Sequence, residues 1–236
     1  KLKLVAGSVH RAEPENPPLP AVYMMKGRGV TADAAAPSFD EESFFEYHLY
    51  TLDQPATVRD RETKQLSLFP SAGTAVIKKM TYDGERRPKD VVVSVEFTNA
   101  KAAGLGMPLP KGLVRVYKKA KDGAQEFVGE DRIDHTATDE KVRLTLGNAF
   151  DVVGERTQTD YQRVDDRTVQ RSIKVDLRNH KQEAAQVSVV EHLAGDWTIT
   201  EKSTEYKKTD SHSVEFPVTI PAGGSVTVTY TARMRY

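Results

Sequence analysis

The sequence contains no cysteine among its 236 residues. This absence excludes structural disulfides, thiolate metal sites and cysteine nucleophiles. It is compatible with a periplasmic or surface location and equally with the cytoplasm. The sequence also has no apolar run that approaches the roughly 18 residues needed for a membrane-spanning helix. A protein that crosses a membrane with a helix is therefore not expected.

Helical periodicity of any length is absent as well, and only short turns such as residues 37–42 are compatible with helix. Short alternating segments recur at roughly 10-residue spacing instead, which is typical of a β-sandwich or barrel. The strongest of these segments is 91–97, with the sequence VVVSVEF. The pattern predicts an all-β fold.

A surplus of one charge is missing too, because 34 lysines and arginines balance 34 aspartates and glutamates. Binding to a polyanion needs cations gathered on one face, so a nucleic-acid partner is not expected. The short basic pairs, such as Lys118-Lys119, have acidic residues nearby in sequence. On exposed strands such lysines deter edge-to-edge pairing between proteins, which is the interpretation we prefer.

Composition divides the chain into three parts. Residues 1–43 combine a leading strand with a proline- and alanine-rich flexible excursion, because proline removes backbone donors and restricts φ. Residues 44–153 are predicted to form one β-sandwich module, and residues 154–236 a second, immunoglobulin-like or fibronectin-like module. The first residues alternate like a strand already under way, so we expect further sequence upstream.

The stretch 109–161 links the two predicted modules. It contains a strand beginning at Leu113, a turn at Asp122-Gly123 and a return strand. A weak internal repeat surrounds it, because SVEF occurs at 94–97 and again at 213–216, each time followed by a proline–glycine corner. Both duplication and common sandwich chemistry explain this repeat. The single tryptophan, Trp197, is expected to pack in a core.

The titratable residues show no recognisable catalytic spacing. The six histidines do not form a helical metal-binding pair, and no Gly-x-Ser-x-Gly elbow occurs. Carboxylates are too numerous to nominate a glycosidase pair. The acidic string around Asp131 and Asp134 is open to two interpretations: a calcium site, or a connection whose carboxylates accept backbone N–H groups or pair with Arg132. The sequence therefore assigns no catalytic, cofactor-binding or metal-binding residue.

Several strings go beyond a generic sandwich. In chain order they are KLKLVAG at 1–7, FEYHLYTL at 45–52, TKQ at 63–65, GLGMPLP at 104–110, VRVY at 114–117, GEDRIDHT at 129–136 and FDVVGER at 150–156. With these strings the chain resembles the C-terminal half of the bacterial proteins grouped as domain-of-unknown-function family 4139. The resemblance covers nearly the whole chain except residues 10–43. It implies export to the periplasm or cell surface and further β-rich sequence upstream, and it carries no catalytic residues over.

These observations favour a non-enzymatic structural or interaction module of the cell envelope, with an envelope protein or glycan as its partner. Sandwich modules bind through strand edges or end loops, and the candidate loops are residues 98–108 and 133–140. Two alternatives stay open. One is a hydrolase of envelope carbohydrate or peptide, which requires titratable side chains that converge in a concave pocket. The other is a passive spacer for an upstream active domain. No cofactor is expected.

Overall fold

The computed structural model describes residues 2–6, 39–52, 56–66, 68 and 74–236. Strands dominate these ranges, which confirms the predicted all-β class. The strands are β1 (Lys3–Ala6), β2 (Phe39–Phe44), β3 (Tyr47–Leu52), β4 (Ile77–Tyr82), β5 (Asp90–Thr98), β6 (Gly112–Lys119), β7 (Gln125–Ile133), β8 (Lys141–Arg163), β9 (Thr168–Asn179), β10 (Ala185–His192), β11 (Asp196–Lys202), β12 (Lys207–Lys208), β13 (Ser213–Ile220) and β14 (Ser225–Arg235). The one helix in the same ranges is a 3-10 turn, Lys101–Ala103.

The described residues form two compact units, and each unit is discontinuous in sequence. Unit 1 consists of the described residues of Lys1–Thr74, Thr98–Gly112 and Ile133–Glu140, and unit 2 consists of Ala75–Phe97, Leu113–Arg132 and Lys141–Tyr236. The predicted boundary between residues 153 and 154 lies inside β8, which continues as one strand across it. The units therefore divide the chain differently from the predicted modules, since strands from both sides of residue 153 share one sheet.

Unit 1 contains a three-stranded antiparallel sheet in the order β1-β3-β2. The predicted leading strand is present as β1, and most of the predicted excursion lies outside the described residues. Residues 39–43 of the predicted excursion instead belong to β2. This strand pairs with β3 along its whole length, from Phe39 opposite Leu52 to Phe44 opposite Tyr47. Of the helical turn predicted as an option at 37–42, residues 39–42 are strand, and residues 37 and 38 lie outside the described residues.

Unit 2 is built on a nine-stranded sheet in the order β11-β14-β9-β8-β5-β4-β10-β13-β12. Strands β14 and β13 lie far apart in this order, yet Tyr230 of β14 stacks on Phe216 of β13 with ring centroids 5.3 Å apart. The sheet must therefore fold over on itself, which makes the unit a β-sandwich. The short contact between β4 and β10 is parallel, and the other pairs that we describe are antiparallel.

Strict alternation builds the core of unit 2. In β10, every second residue from Ala185 to Glu191 is buried, because successive side chains of a strand point to opposite faces. The same period places one side of β9, β13 and β14 inward. The apolar core consists of Tyr82, Val91, Val152, Ile173, Val175, Leu177, Ala185, Val187, Val189, Leu193, Val214, Phe216, Ile220, Val228, Tyr230, Ala232 and Met234. Trp197 packs against this core, as predicted, and its Nε1 donates to the carbonyl of Ser211 at 2.8 Å.

Strands β6 and β7 form a separate two-stranded sheet. The turn between them is the one predicted from Asp122-Gly123. Gly123 has φ +91°, a region that favours glycine, and its N–H donates to the carbonyl of Ala120 at 3.1 Å. The side chains of Tyr117 and Phe127 meet edge to face on the exposed surface of this hairpin, with centroids 5.8 Å apart.

Candidate functional site

The two loops that the sequence nominated, 98–108 and 133–140, lie side by side in unit 1. Asn99 is completely buried between them. Its backbone N–H donates to the carbonyl of Glu140 at 2.9 Å, and its own carbonyl accepts the N–H of Asp139 at 2.8 Å. The two loops are therefore paired through their backbones, and we call them together the loop pair.

The side-chain amide of Asn99 completes this connection. Its Nδ2 donates to the carbonyl of Met107 at 2.7 Å and to the carbonyl of Ala137 at 3.0 Å. Its Oδ1 accepts the N–H of Gly106 at 3.2 Å. Both amide hydrogens and the amide oxygen are thus used. One buried side chain satisfies backbone groups from both loops.

Two further contacts fix the loop pair. Leu109 and Thr136 exchange backbone hydrogen bonds of 2.8 and 2.9 Å. The hydroxyl of Tyr50, on β3, donates to the carbonyl of Pro108 at 2.5 Å. Burial, followed by the charge of Glu41, raises the pKa of Tyr50 to about 12, so the hydroxyl stays protonated and able to donate at neutral pH.

Glycine is required where the first loop turns. The 3-10 turn ends at Gly104, which has φ +78°. Gly106 has φ +88°, and a Cβ there would lie 2.6 Å from the backbone nitrogen of Lys101. The string that suggested a family resemblance, GLGMPLP, thus forms the folded corner of this loop. The side chains that the loop pair exposes include Lys101, Asp134 and His135.

The acidic string does not gather into a metal site in the described ranges. The two carboxylate oxygens of Asp131 accept backbone N–H groups from Arg132 at 2.8 Å and Thr145 at 2.7 Å, which is the hydrogen-bonded alternative raised above. Among residues 2–6, 39–52, 56–66, 68 and 74–236, no group of three or more histidine or carboxylate side chains is placed to hold a metal ion.

The histidines are dispersed and have separate partners. His48 Nδ1 lies 2.8 Å from Glu41, and His135 Nδ1 accepts the N–H of Lys111 at 3.2 Å. His212 Nδ1 lies 2.6 Å from the Ser211 hydroxyl. His10 lies outside the described residues. His192 is the histidine that enters a groove with other polar side chains.

This groove is an open depression of about 660 Å³ on the outer face of β4, β10 and β13. Sequence reasoning missed it, because it brings β4 beside β10 and β13, which follow more than 100 residues later in the chain. Lys79 and Arg143 lie on one side of the groove, and each contacts Glu96 at 2.5 Å. Burial alone would raise the pKa of Glu96, but the hydrogen bonds from these two cations outweigh burial and lower it.

At the other side of the groove, His192 lies between one carboxylate and one hydroxyl. Its Nε2 lies 2.9 Å from Oδ2 of Asp83, and its Nδ1 lies 3.3 Å from Oγ of Ser213. All three side chains are half-buried. Asp210 also lines the groove, where a hydrogen bond from the backbone of His212 and then one from the Ser213 side chain lower its pKa.

A second polar cluster lies inside the sandwich. The carboxylate of Glu191 is fully buried and receives Arg156 Nε at 3.1 and 3.0 Å, while the Tyr230 hydroxyl donates to it at 2.5 Å. Arg156 reaches Glu85 as well, at 2.9 Å. Burial raises the pKa of Glu191, and the hydrogen bonds from Arg156 and Tyr230 oppose that effect. Because the Glu191 side chain has no exposed surface, no substrate can reach its carboxylate. The contacts of this cluster hold the layers of the sandwich together.

Comparisons with known proteins identify no relative. No protein family, curated protein or solved structure matches the chain. Within the described ranges, no helix has the length and apolar character to cross a membrane.

Proposed function

We propose that this chain is an interaction module of the bacterial cell envelope, which binds an envelope protein or glycan through the loop pair. The family resemblance supports the envelope location, either the periplasm or the cell surface. It also supports membership of the 4139 family. The recurring short strands of residues 154–236 support an immunoglobulin-like character for that part of the chain. The observation that carries the binding role is the joining of both loops by the buried side chain of Asn99.

This joining matters because ordering a loop on binding costs free energy. Each rotamer-rich side chain that a partner immobilises costs about 0.5–1.5 kcal/mol. A loop that is already hydrogen-bonded avoids part of that cost, and the backbone bonds of Asn99 and the Leu109–Thr136 bridge hold the loop pair before any partner arrives. Preorganised loops on a strand scaffold are where sandwich proteins commonly bind.

The chemistry of the loop pair favours a partner without a strong negative charge. Asp134, Asp139 and Glu140 present three carboxylates to solvent, beside the cation of Lys101 and the imidazole of His135. These carboxylates would repel a polyanion. A polar protein surface or a neutral glycan matches these groups through hydrogen bonds.

A capture experiment from envelope extract tests this proposal, with the full chain as bait. We expect a specific partner that survives moderate salt. The double variant Lys101→Glu/Asp134→Lys reverses one exposed charge in each loop without touching Asn99, and we expect it to weaken capture at least tenfold, equivalent to about 1.4 kcal/mol. Deleting the loop would be less informative, because Asn99 would be lost with it.

The matched control is Asp166→Lys, which reverses a carboxylate that is 99% exposed in unit 2. It should capture the partner as well as the unchanged chain does. Equal capture by the loop variant and the control would remove the loop pair as the binding surface. Absence of any partner would instead support the spacer alternative, and activity that appears only when upstream sequence is restored would select it.

A further inference from the structure

The groove of unit 2 holds three polar side chains at the same end of three neighbouring strands. Asp83 directly follows β4, His192 is the last residue of β10, and Ser213 is the first residue of β13. These strands are adjacent in the sheet. Because β10 runs parallel to β4 and antiparallel to β13, the end of the first two strands coincides with the start of the third.

We propose that Ser213 is a nucleophile that His192 activates and Asp83 positions, and that the groove accepts an uncharged carboxylic ester. This activity is independent of the loop pair, which belongs to the other unit. The arrangement follows the geometry of serine nucleophiles, in which a base contacts the hydroxyl and a third group orients the base.

The distances assign the roles. The Asp83 carboxylate accepts a hydrogen bond from Nε2 of His192 at 2.9 Å, which leaves the Nδ1 lone pair facing Oγ of Ser213, 3.3 Å away. The Ser213 hydroxyl also hydrogen-bonds to Asp210, so it must rotate from that carboxylate to Nδ1 before the proton transfer. Oδ1 of Asp83 accepts the backbone N–H of Arg86 at 3.2 Å. This contact fixes the carboxylate, and the carboxylate in turn fixes the imidazole ring.

The surroundings indicate the class of substrate. Arg86 lines the groove, is mostly exposed and lies 3.5 Å from Asp83, so its guanidinium is the cation placed beside these three residues for a developing oxyanion. The rest of the lining is mixed in charge, with Lys78, Lys79, Arg143, Asp210 and Glu215. This mixed lining favours an acyl group without a charge. An ester has a better leaving group than an amide, so it demands less stabilisation of the oxyanion.

The reaction balances without a co-reactant other than water. Oγ of Ser213 bonds to the ester carbonyl carbon while its proton moves to Nδ1 of His192. The carbon–oxygen bond to the leaving alcohol breaks, and the alcohol takes that proton. Water then attacks the acyl-serine with His192 again as the base, and it releases the carboxylic acid and restores the serine.

A fluorophosphonate probe tests the nucleophile directly, because Ser213 would displace fluoride and form a stable bond to phosphorus. We expect labelling of the full chain at Ser213, located by peptide mass spectrometry, and complete loss in Ser213→Ala. The matched control is Ser211→Ala, which removes a hydroxyl that lies 2.6 Å from Nδ1 of a different histidine, His212. The control should label like the unchanged chain.

Variants of the other two residues separate chemistry from folding. His192→Gln should lower the labelling rate by about 10²–10⁴-fold, the usual contribution of a general base. Asp83→Asn should lower the plateau rate of labelling, and the conservative variant Asp83→Glu should restore part of that rate. Absence of labelling in the folded chain, or equal labelling of Ser213→Ala, would overturn the proposal.

Discussion

We expect Glu191→Ala to lower the free energy of unfolding by about 3–5 kcal/mol, the usual cost of removing one partner from a buried ion pair. The variant leaves the guanidinium of Arg156 largely buried, with only the half-exposed Glu85 as a counter-charge. It also removes the acceptor of the Tyr230 hydroxyl. Urea denaturation followed by circular dichroism measures the loss.

The neighbouring pair Glu155–Arg178 provides the matched control. Its atoms are 3.4 Å apart and the Glu155 side chain is 62% exposed, so Glu155→Ala should cost no more than about 1 kcal/mol. Replacing both Arg156 and Glu191 with leucine should cost less than Glu191→Ala alone, because no uncompensated charge is left inside. A loss below about 1 kcal/mol for Glu191→Ala would mean that water reaches this carboxylate.

The second large effect is expected at Phe216, where we expect replacement by alanine to cost about 3–5 kcal/mol. The ring is fully buried and lies between Tyr230, at a centroid distance of 5.3 Å, and Tyr206, at 5.7 Å. Its removal opens a cavity between the two layers and breaks the aromatic contact that joins them.

Phe150→Ala is the control for this prediction, since the Phe150 ring is 95% exposed. Its removal should change the free energy of unfolding by no more than about 0.5 kcal/mol. Comparable losses at the two positions would contradict the folded-over sheet, because only that packing buries Phe216 and leaves Phe150 in solvent.

The alternation of inward and outward residues along the strands could be predicted well from the sequence. This alternation also identifies one polar residue of the core. Glu191 lies in phase with Ala185, Val187 and Val189, so alternation alone indicates that it points inward. Its partner could not be predicted. Arg156 lies 35 residues away on another strand. Which residues meet across the sandwich depends on how its layers pack, and no local sequence pattern shows that.

The division of the chain was harder to predict for a related physical reason. Strand β8 is 23 residues long, far beyond the usual strand of about 5–6 residues, so its two halves resemble elements of separate modules. The two candidate loops were correctly identified as connections between strands. The hydrogen bonds by which Asn99 joins these loops could not be predicted, because no repeating sequence pattern marks a buried asparagine or its partners.

The most direct test of the account is amide hydrogen exchange on the chain and on Asn99→Ala. The substitution leaves the carbonyls of Met107 and Ala137 and the N–H of Gly106 without their partner, at a cost of about 1–3 kcal/mol. We predict exchange at least tenfold faster for the amides of Gly106 and Asp139, one in each loop, while β9 and β14 stay protected. Faster exchange confined to one loop, or no change in either, would contradict a loop pair held as one surface.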